Sequence, residues 1–304
     1  MELLVKLRNT KNAEKIKAIC DGFIVGSIFT TGYRYSIDEL KKINNYCKDN
    51  NLKIYIEIEN FISEDDKIQL FNYMDFIASL NVDGIYFHDL GIFDIAKEYG
   101  LTSKLIYDGQ TIICNSLDVA FYKSQGIDGV VLSRELTLEE LDGIVINNPD
   151  ICDVLIFGHT RLSYSKRKFL TNYLKEIDKE YDFLNSETMR LVEEKRDYQL
   201  PIIEDESGTK IYTDYIFQMY NEISNLKPFI KRGIIDTLFI DDEVISVVLR
   251  DYKRITNENS SFLLENLVTK YPNKYSTGYL YQKTNITKDE KDWVVSTSKR
   301  FRKS

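Results

Sequence analysis

Residues 128–141, DGVVLSRELTLEEL, and 152–174, CDVLIFGHTRLSYSKRKFLTNYL, decide the fold. In each, a short β-branched and apolar run (Val130 to Leu132, then Val154 to Phe157) is the pattern of a strand buried on both faces, and a polar turn follows it. A helix begins after the turn. Two such strand-to-helix units in succession describe a parallel sheet with return helices, and the rhythm recurs outward from them about every 20 to 30 residues.

Upstream, strands are predicted at 2–7 (ELLVKL), 22–27 (GFIVGS), 53–60 (KIYIEIEN), 82–91 (VDGIYFHDLG) and 104–111 (KLIYDGQT). Gly22 and Gly26 are expected to allow sharp turns around the second of these. A helix is expected over 12–20, and Ser36 with Glu39, like Thr137 with Glu140, has the spacing of a capping box at a helix start. Downstream, helices are expected at about 169–181, 216–229 and 244–255, with an eighth strand from Thr237 to Ile240. The intervening stretch 188–215 breaks the period: it is strand-like around Gly208, and Pro201 argues against a central strand there. These readings give an α/β, TIM-like (β/α) barrel over 1–255, with a small β-rich insertion of about 185–215 packed over the rim. A C-terminal extension occupies 256–304. It has an amphipathic stretch, NSSFLLENLVTKY (259–271), and a basic end, STSKRFRKS, expected to be mobile.

The chain has 304 residues, 43% of them hydrophobic, enough to bury a full core. A net charge of −8 excludes a bulk basic footprint for nucleic acid but leaves room for a local basic rim that holds phosphate. The cysteines Cys20, Cys47, Cys114 and Cys152 form no CxxC pair and no zinc-type spacing with histidine, as in reduced thiols of a cytosolic protein. The N-terminus lacks the pattern of a signal peptide, and no run approaches the roughly 18 apolar residues of a membrane span. A cytoplasmic location without a membrane partner is the expectation.

Groups at the carboxyl ends of barrel strands face the ligand crevice. That rule puts Ser133, Arg134, Glu135, His159 and Arg161 on one rim. Arg34 joins them from the second strand, His88 and Asp89 from the fourth, and Asp108, Gln110 and Asn115 from the fifth and the segment just after it. Arg134, Glu135, His88 and His159 are the catalytic candidates. Glu57 and Glu59 share one face of the third strand, which reads as a solvated or salt-bridged face, with only Glu59 near enough to the strand end for acid–base work. The two histidines with Asp89 and Glu135 are the residue types of a hydrolytic zinc site, but no HExxH-type spacing fixes them, and no metal ligand is assigned. A nucleophile is less well supported: GxSxG is absent, Cys114 has no identifiable base beside it, and Ser163 and Ser165 read as helix-capping hydroxyls. Arg161, Lys166, Arg167 and Lys168, with Tyr164 among them, suit a phosphate backbone or a small dicarboxylate, and Tyr164 suits stacking on a base. Together with Arg34, Gln110 and Asn115 they are the substrate-binding candidates. Cations at a helix start oppose the preference of that end for negative charge, which points to an anion there.

The pairing of SRELTLEEL with LSYSKRKFLTNYL resembles peptidase family U32, the collagenase-like peptidases, whose members carry an Arg-Glu-Leu segment and then a Tyr-Ser segment before a Leu-x-Asn-Tyr run. HDLG (88–91), DGQTIICN (108–115), PIIEDESGTKIYTDY (201–215) and YSTGYL (275–280) extend the resemblance over most of the chain. In cluster-bearing relatives, cysteines stand at the positions of Arg161 and Lys168 and help hold an iron–sulfur cluster. Cations cannot ligate iron, so the sequence resembles the short, cluster-less branch. Some bacterial members hydroxylate the wobble uridine of tRNA. The resemblance therefore implies a subunit that binds tRNA or a carboxylate co-substrate at its rim, with no cofactor expected, zinc being the minor option, and with a longer U32 paralogue as a possible partner. The competing implications are a true peptidase, with a metal or activated nucleophile at the same rim, and a scaffold without chemistry.

Overall fold

Apolar strands with two faces to bury find one cover inside a closed barrel and the other beneath the return helices. The computed structural model describes residues 1–195, 198–258 and 264–282, so part of the amphipathic stretch and the basic end lie outside the described residues. In chain order the strands are β1 (Glu2–Lys6), β2 (Gly22–Gly26), β3 (Lys53–Ile58), β4 (Gly84–Phe87), β5 (Leu105–Asp108), β6 (Gly129–Val131) and β7 (Cys152–Gly158). They continue with β8 (Arg161–Ser165), β9 (Arg190–Val192), β10 (Gln199–Asp205), β11 (Gly208–Tyr212), β12 (Ile216–Gln218), β13 (Arg232–Ile235) and β14 (Tyr275–Ser276). Strands β1 to β7 pair in sequence, each parallel to the next, and β13 pairs in parallel with both β7 and β1, closing an eight-stranded barrel. The return helices are α1 (Thr10–Ile16), α2 (Ile37–Asp49), α3 (Lys67–Leu80), α4 (Leu90–Glu98), α5 (Ser116–Ser124) and α6 (Leu138–Asn147). Both expected capping boxes are present: Ser36 with Glu39 starts α2 and Thr137 with Glu140 starts α6.

The second sheet has the order β8-β11-β10-β9, all antiparallel. It begins at Arg161, so Ser163 and Ser165 are strand residues rather than helix caps. The helix that comes next, α7 (Phe169–Glu176), is shorter than expected, and Asp178 just beyond it has a positive φ of 50°. Pro201 does lie in an inner strand. It pairs with Arg190 of β9, and the pairing of β10 with β11 starts only at Ile202, so no ladder on that side needs the missing N–H.

Three other expectations are corrected and one is narrowed. Of the solvated and salt-bridged readings of Glu57 and Glu59, the second holds: they are 4% and 6% exposed, inside the barrel, where cations from other strands meet them. The eighth barrel strand is β13, not 237–240. Its first residue is a buried arginine, Arg232, which breaks the apolar run in sequence but is paired at 2.8 Å with Asp153. Of 216–229, only α8 (Ile223–Leu226) is helical, because 216–218 forms β12 and pairs with the end of β7. Gly22 and Gly26 lie within β2 rather than in turns; a Cβ on Gly22 would stand 2.7 Å from the Lys53 carbonyl.

The chain continues through α9 (Asp242–Glu258), packed against α1 and α8, and α10 (Leu264–Lys270). No described helix is long and apolar enough to cross a membrane.

Candidate functional site

Strand polarity collects charged residues at the carboxyl ends of the barrel strands. Lys6, the last residue of β1, reaches Glu57 at 2.7 Å and Asp236, just past β13, at 3.0 Å. Arg8 binds the same Asp236 at 3.2 Å and donates to the Thr31 carbonyl at 3.0 Å. Burial works against ionisation of Asp236, but Lys6 and Arg8 overcome it and hold its carboxyl well below the usual carboxylate range. Burial likewise opposes the Lys6 charge, and Asp236 with Glu57 lifts that ammonium above its ordinary range.

Glu59, beyond the end of β3, accepts from Arg161 at 3.0 Å and from the Thr31 N–H at 3.1 Å. Desolvation disfavours its charge, yet Lys210, Arg161 and Lys6 together depress its pKa far below normal. Lys210 comes from β11 and is fully buried; it donates to Thr31, to Asn60 at 2.6 Å and to Ser207 at 3.3 Å, with Asp205 at 3.7 Å. Burial pulls its ammonium below the ordinary lysine range, against the attraction of Glu59 and Asp205. Arg34 binds Asp205 at 3.0 Å and the exposed Glu206 at 2.5 Å. The second sheet is thus fastened to the mouth by ions, with a small apolar cluster of Ile203, Tyr212 and Leu238 beside them.

Across the mouth, His88 Nδ1 faces the Glu59 carbonyl at 2.6 Å. A carbonyl only accepts, so Nδ1 carries the proton. In neutral His88, Nε2 then accepts from the Gln110 amide nitrogen at 2.8 Å. The same amide nitrogen reaches Asp108 at 3.3 Å, and the amide oxygen of Gln110 accepts from Arg134, which also pairs with Asp108 at 3.2 Å. Burial opposes the charge on Asp108, and Arg134 and His88 outweigh it, holding the carboxyl far below its usual range. Gln110 adopts this position with φ of +62°, a left-handed conformation that costs a non-glycine residue about 1 kcal/mol or more. Its side chain orients both the histidine and the arginine.

A cavity of about 260 Å³ opens between this group and β8, lined by Phe61, His88, Tyr107, Gln110, Arg161 and Tyr164 among others. Phe61 stacks on Tyr164 with ring centroids 5.4 Å apart and planes inclined by 15°, and Arg161 lies 5.4 Å from the Tyr164 ring. One guanidinium nitrogen of Arg161 is taken by Glu59, and Arg161 is among the residues that line the cavity.

The structure therefore brings His88, Gln110, Arg134, Arg161 and Tyr164 together. It places the others elsewhere. His159 donates from Nδ1 to the Thr213 carbonyl at 2.7 Å and meets Phe239 edge-on, and burial lowers its pKa. Glu135 is exposed and does not line the cavity. Asn115 caps α5, accepting from Leu117 and Asp118 N–H groups. Asp89 caps α4 and also accepts from the Ile62 N–H, so the four residues of the zinc reading are not gathered, and no metal-holding group is found among the described residues. Lys166, Arg167 and Lys168 form an exposed turn before α7. The anion expected at that helix start is internal: the buried Glu204 accepts from Leu170 N–H at 2.8 Å and Thr171 N–H at 3.1 Å.

Sequence reasoning missed Lys6, Arg8, Asp205, Lys210 and Asp236. Lys6 had a signal, a charge at the inward position of an apolar strand; Lys210 had none, because its partners come from remote segments.

The family model described as peptidase family U32 matches residues 30–290. The chain belongs to peptidase family U32. Among similar proteins is tRNA hydroxylation protein P2 of Bacillus subtilis, 27% identical over 233 residues that cover 74% of this chain and 75% of that protein. An uncharacterized protease of Methanocaldococcus jannaschii is 33% identical over 145 residues, covering 46% of this chain and 35% of that one. tRNA hydroxylation protein P1 of B. subtilis is 25% identical, covering 55% of this chain and 42% of its own length. The chain thus spans three quarters of P2 but less than half of the other two. The solved structure of a U32 peptidase aligns with TM-score 0.47 and 15% identity over 78% of this chain and 92% of that one.

The thiols present do not suit an iron–sulfur cluster at this U32 mouth. Cys20 precedes β2, Cys47 lies in α2 and Cys152 opens β7, all three buried, and Cys114 is a single exposed residue after β5, so the thiols do not gather at the mouth. Arg161, meanwhile, is committed to Glu59.

Proposed function

We propose that this U32 protein is a cluster-less subunit in the hydroxylation of the tRNA wobble uridine, binding tRNA or a carboxylate co-substrate through the barrel mouth. The observation that carries the reading is the cavity beside Arg161. It offers the Arg161 guanidinium, one nitrogen of which Glu59 takes, a histidine whose Nδ1 faces the Glu59 carbonyl and whose Nε2 meets the Gln110 amide, and a stacked aromatic wall. These groups recognise a planar polar ring or an anion. The relatives named as tRNA hydroxylation proteins support the same reading, and the presence of both P1 and P2 in B. subtilis supports a longer paralogue as partner. We place the protein in the cytoplasm, with tRNA.

A collagenase-like peptidase is the second reading, favoured by the M. jannaschii relative named as a protease. Ser163 is exposed on β8, and among the described residues neither histidine is bonded to a serine or cysteine; His88 has both ring nitrogens engaged, and His159 bonds a carbonyl.

The test is nucleoside analysis of tRNA from a deletion strain, complemented with the wild type or with Arg161→Ala. Loss of the hydroxylated wobble uridine, restored by the wild type and poorly by Arg161→Ala, is the expected result. Unchanged nucleosides in the deletion strain, with hydrolysis of denatured collagen by the purified protein, would overturn the proposal in favour of the peptidase.

A further inference from the structure

We infer that the exposed flank of α7 is a stacking surface for unpaired bases of an RNA loop, whose phosphates meet the cationic turn that enters the helix. The inference rests on the proposal that the substrate is RNA, and adds where the strand runs.

The helix α7 has no buried residue. Phe169, Tyr173 and Ile177, spaced at four-residue intervals and therefore on one side, are 47%, 60% and 39% exposed, and Tyr181 beyond them is 61% exposed. A helix this short is marginal alone. Its first turn is anchored: Glu204 accepts from the first-turn N–H groups and from the Thr171 hydroxyl at 2.5 Å, and Thr209 accepts from the Phe169 N–H at 3.0 Å. The anchoring fixes the helix in place while leaving its apolar side uncovered.

Charge and ring content identify the occupant. Lys166, Arg167 and Lys168 are exposed immediately before the helix, in a chain whose net charge is −8. Glu176, Asp178, Glu180 and Asp182 are exposed at the far end, which keeps a phosphate backbone on the near side. Exposed rings beside a compact cationic turn are the pairing that binds single-stranded nucleic acid, rings taking bases of any sequence and cations taking phosphates. The same strand β8 carries Tyr164 and Arg161 into the cavity wall, so a loop with one base in the cavity is led over the turn and onto α7.

The experiment is fluorescence anisotropy of the full chain with labelled tRNA and with a duplex RNA of equal length, across a salt series. The proteins are the wild type, Tyr173→Ala, Tyr173→Phe and the pair Lys166→Ala/Arg167→Ala. Tyr173→Ala is expected to weaken tRNA binding about tenfold with the salt dependence unchanged, and Tyr173→Phe to bind normally, because stacking on one base is worth that much and releases no counterions. The double lysine–arginine variant is expected to flatten the salt dependence. Equal tRNA affinity of wild type and Tyr173→Ala overturns the inference and leaves tRNA binding standing. Failure of the wild type to bind tRNA at all overturns the inference together with the tRNA-binding part of the functional reading. Dissociation of a dimer by Tyr173→Ala, seen by sedimentation, overturns it in favour of a protein occupant.

Discussion

Lys210→Met removes the buried cation that joins the second sheet to the barrel mouth from inside. Its ammonium is fully buried and stands 3.7 Å from Asp205, so at an effective dielectric constant of about 20 that pair alone is worth roughly 4 kcal/mol. Stripping one partner from a buried pair costs about 3–5 kcal/mol, which agrees. Glu59 and Asp205 both have folded-state pKa values below their ordinary ones, with Lys210 the leading opponent of desolvation in each. A depressed carboxylate contributes stability that is fully present above its unfolded pKa, about 4, and is lost as pH falls through the folded value. In the variant those pKa values rise, and protonation relieves the stranded charges. Urea unfolding of wild type and variant is therefore expected to differ by about 3–5 kcal/mol near neutral pH, and by progressively less as pH drops below about 5. A difference under about 1 kcal/mol at neutral pH, or one that is the same in acid, would refute the claim that buried ions hold this sheet in place.

Two further outcomes are expected. Thr137→Ala removes the hydroxyl that accepts from Glu140 N–H at the start of α6, so unfolding in urea should show a loss of about 1 kcal/mol, with nucleoside modification in cells unchanged. Glu59→Gln frees the Arg161 guanidinium within the cavity, and calorimetric titration with small dicarboxylates should show tighter binding than to the wild type; equal or weaker binding would count against Arg161 as the anion-facing group.

The barrel was legible because its signals are local. Val130 to Leu132 and Val154 to Phe157 declare themselves as strands within a few residues, and Thr137 with Glu140 marks a helix start without help from the rest of the chain. The features that could not be read depend on partners remote in sequence. Arg232 opens a barrel strand that looks too polar to be one until Asp153, on the neighbouring strand, and Asp128 neutralise it. Glu57 and Glu59 read as a solvated or salt-bridged face, and their partners, Lys6 and Arg161, come from strands remote in sequence. The rim rule found His88, Gln110, Arg134 and Arg161, since strand polarity alone places them. It gave no means of seeing that His159 bonds the Thr213 carbonyl or that Glu204 caps α7 from another sheet strand.

Charge balance at the mouth bears on which ligand enters it. Lys6, Arg8, Arg134, Arg161 and Lys210 are matched by Glu57, Glu59, Asp108, Asp205 and Asp236, while Arg34 turns partly outward to Glu206. A carboxylate entering the cavity must share Arg161 with Glu59, and two anions on one guanidinium repel each other in a site where little water screens them. On the proposed function a neutral ring would carry no such cost: it would lie against Phe61 and Tyr164, with its phosphates outside, where Lys166, Arg167 and Lys168 are exposed. Of the two ligands in the proposed function, this charge balance supports an RNA base within the cavity more than a carboxylate. It also assigns Glu59 a selective role, because the internal anion that stabilises the mouth is the same group that a free anion would have to displace.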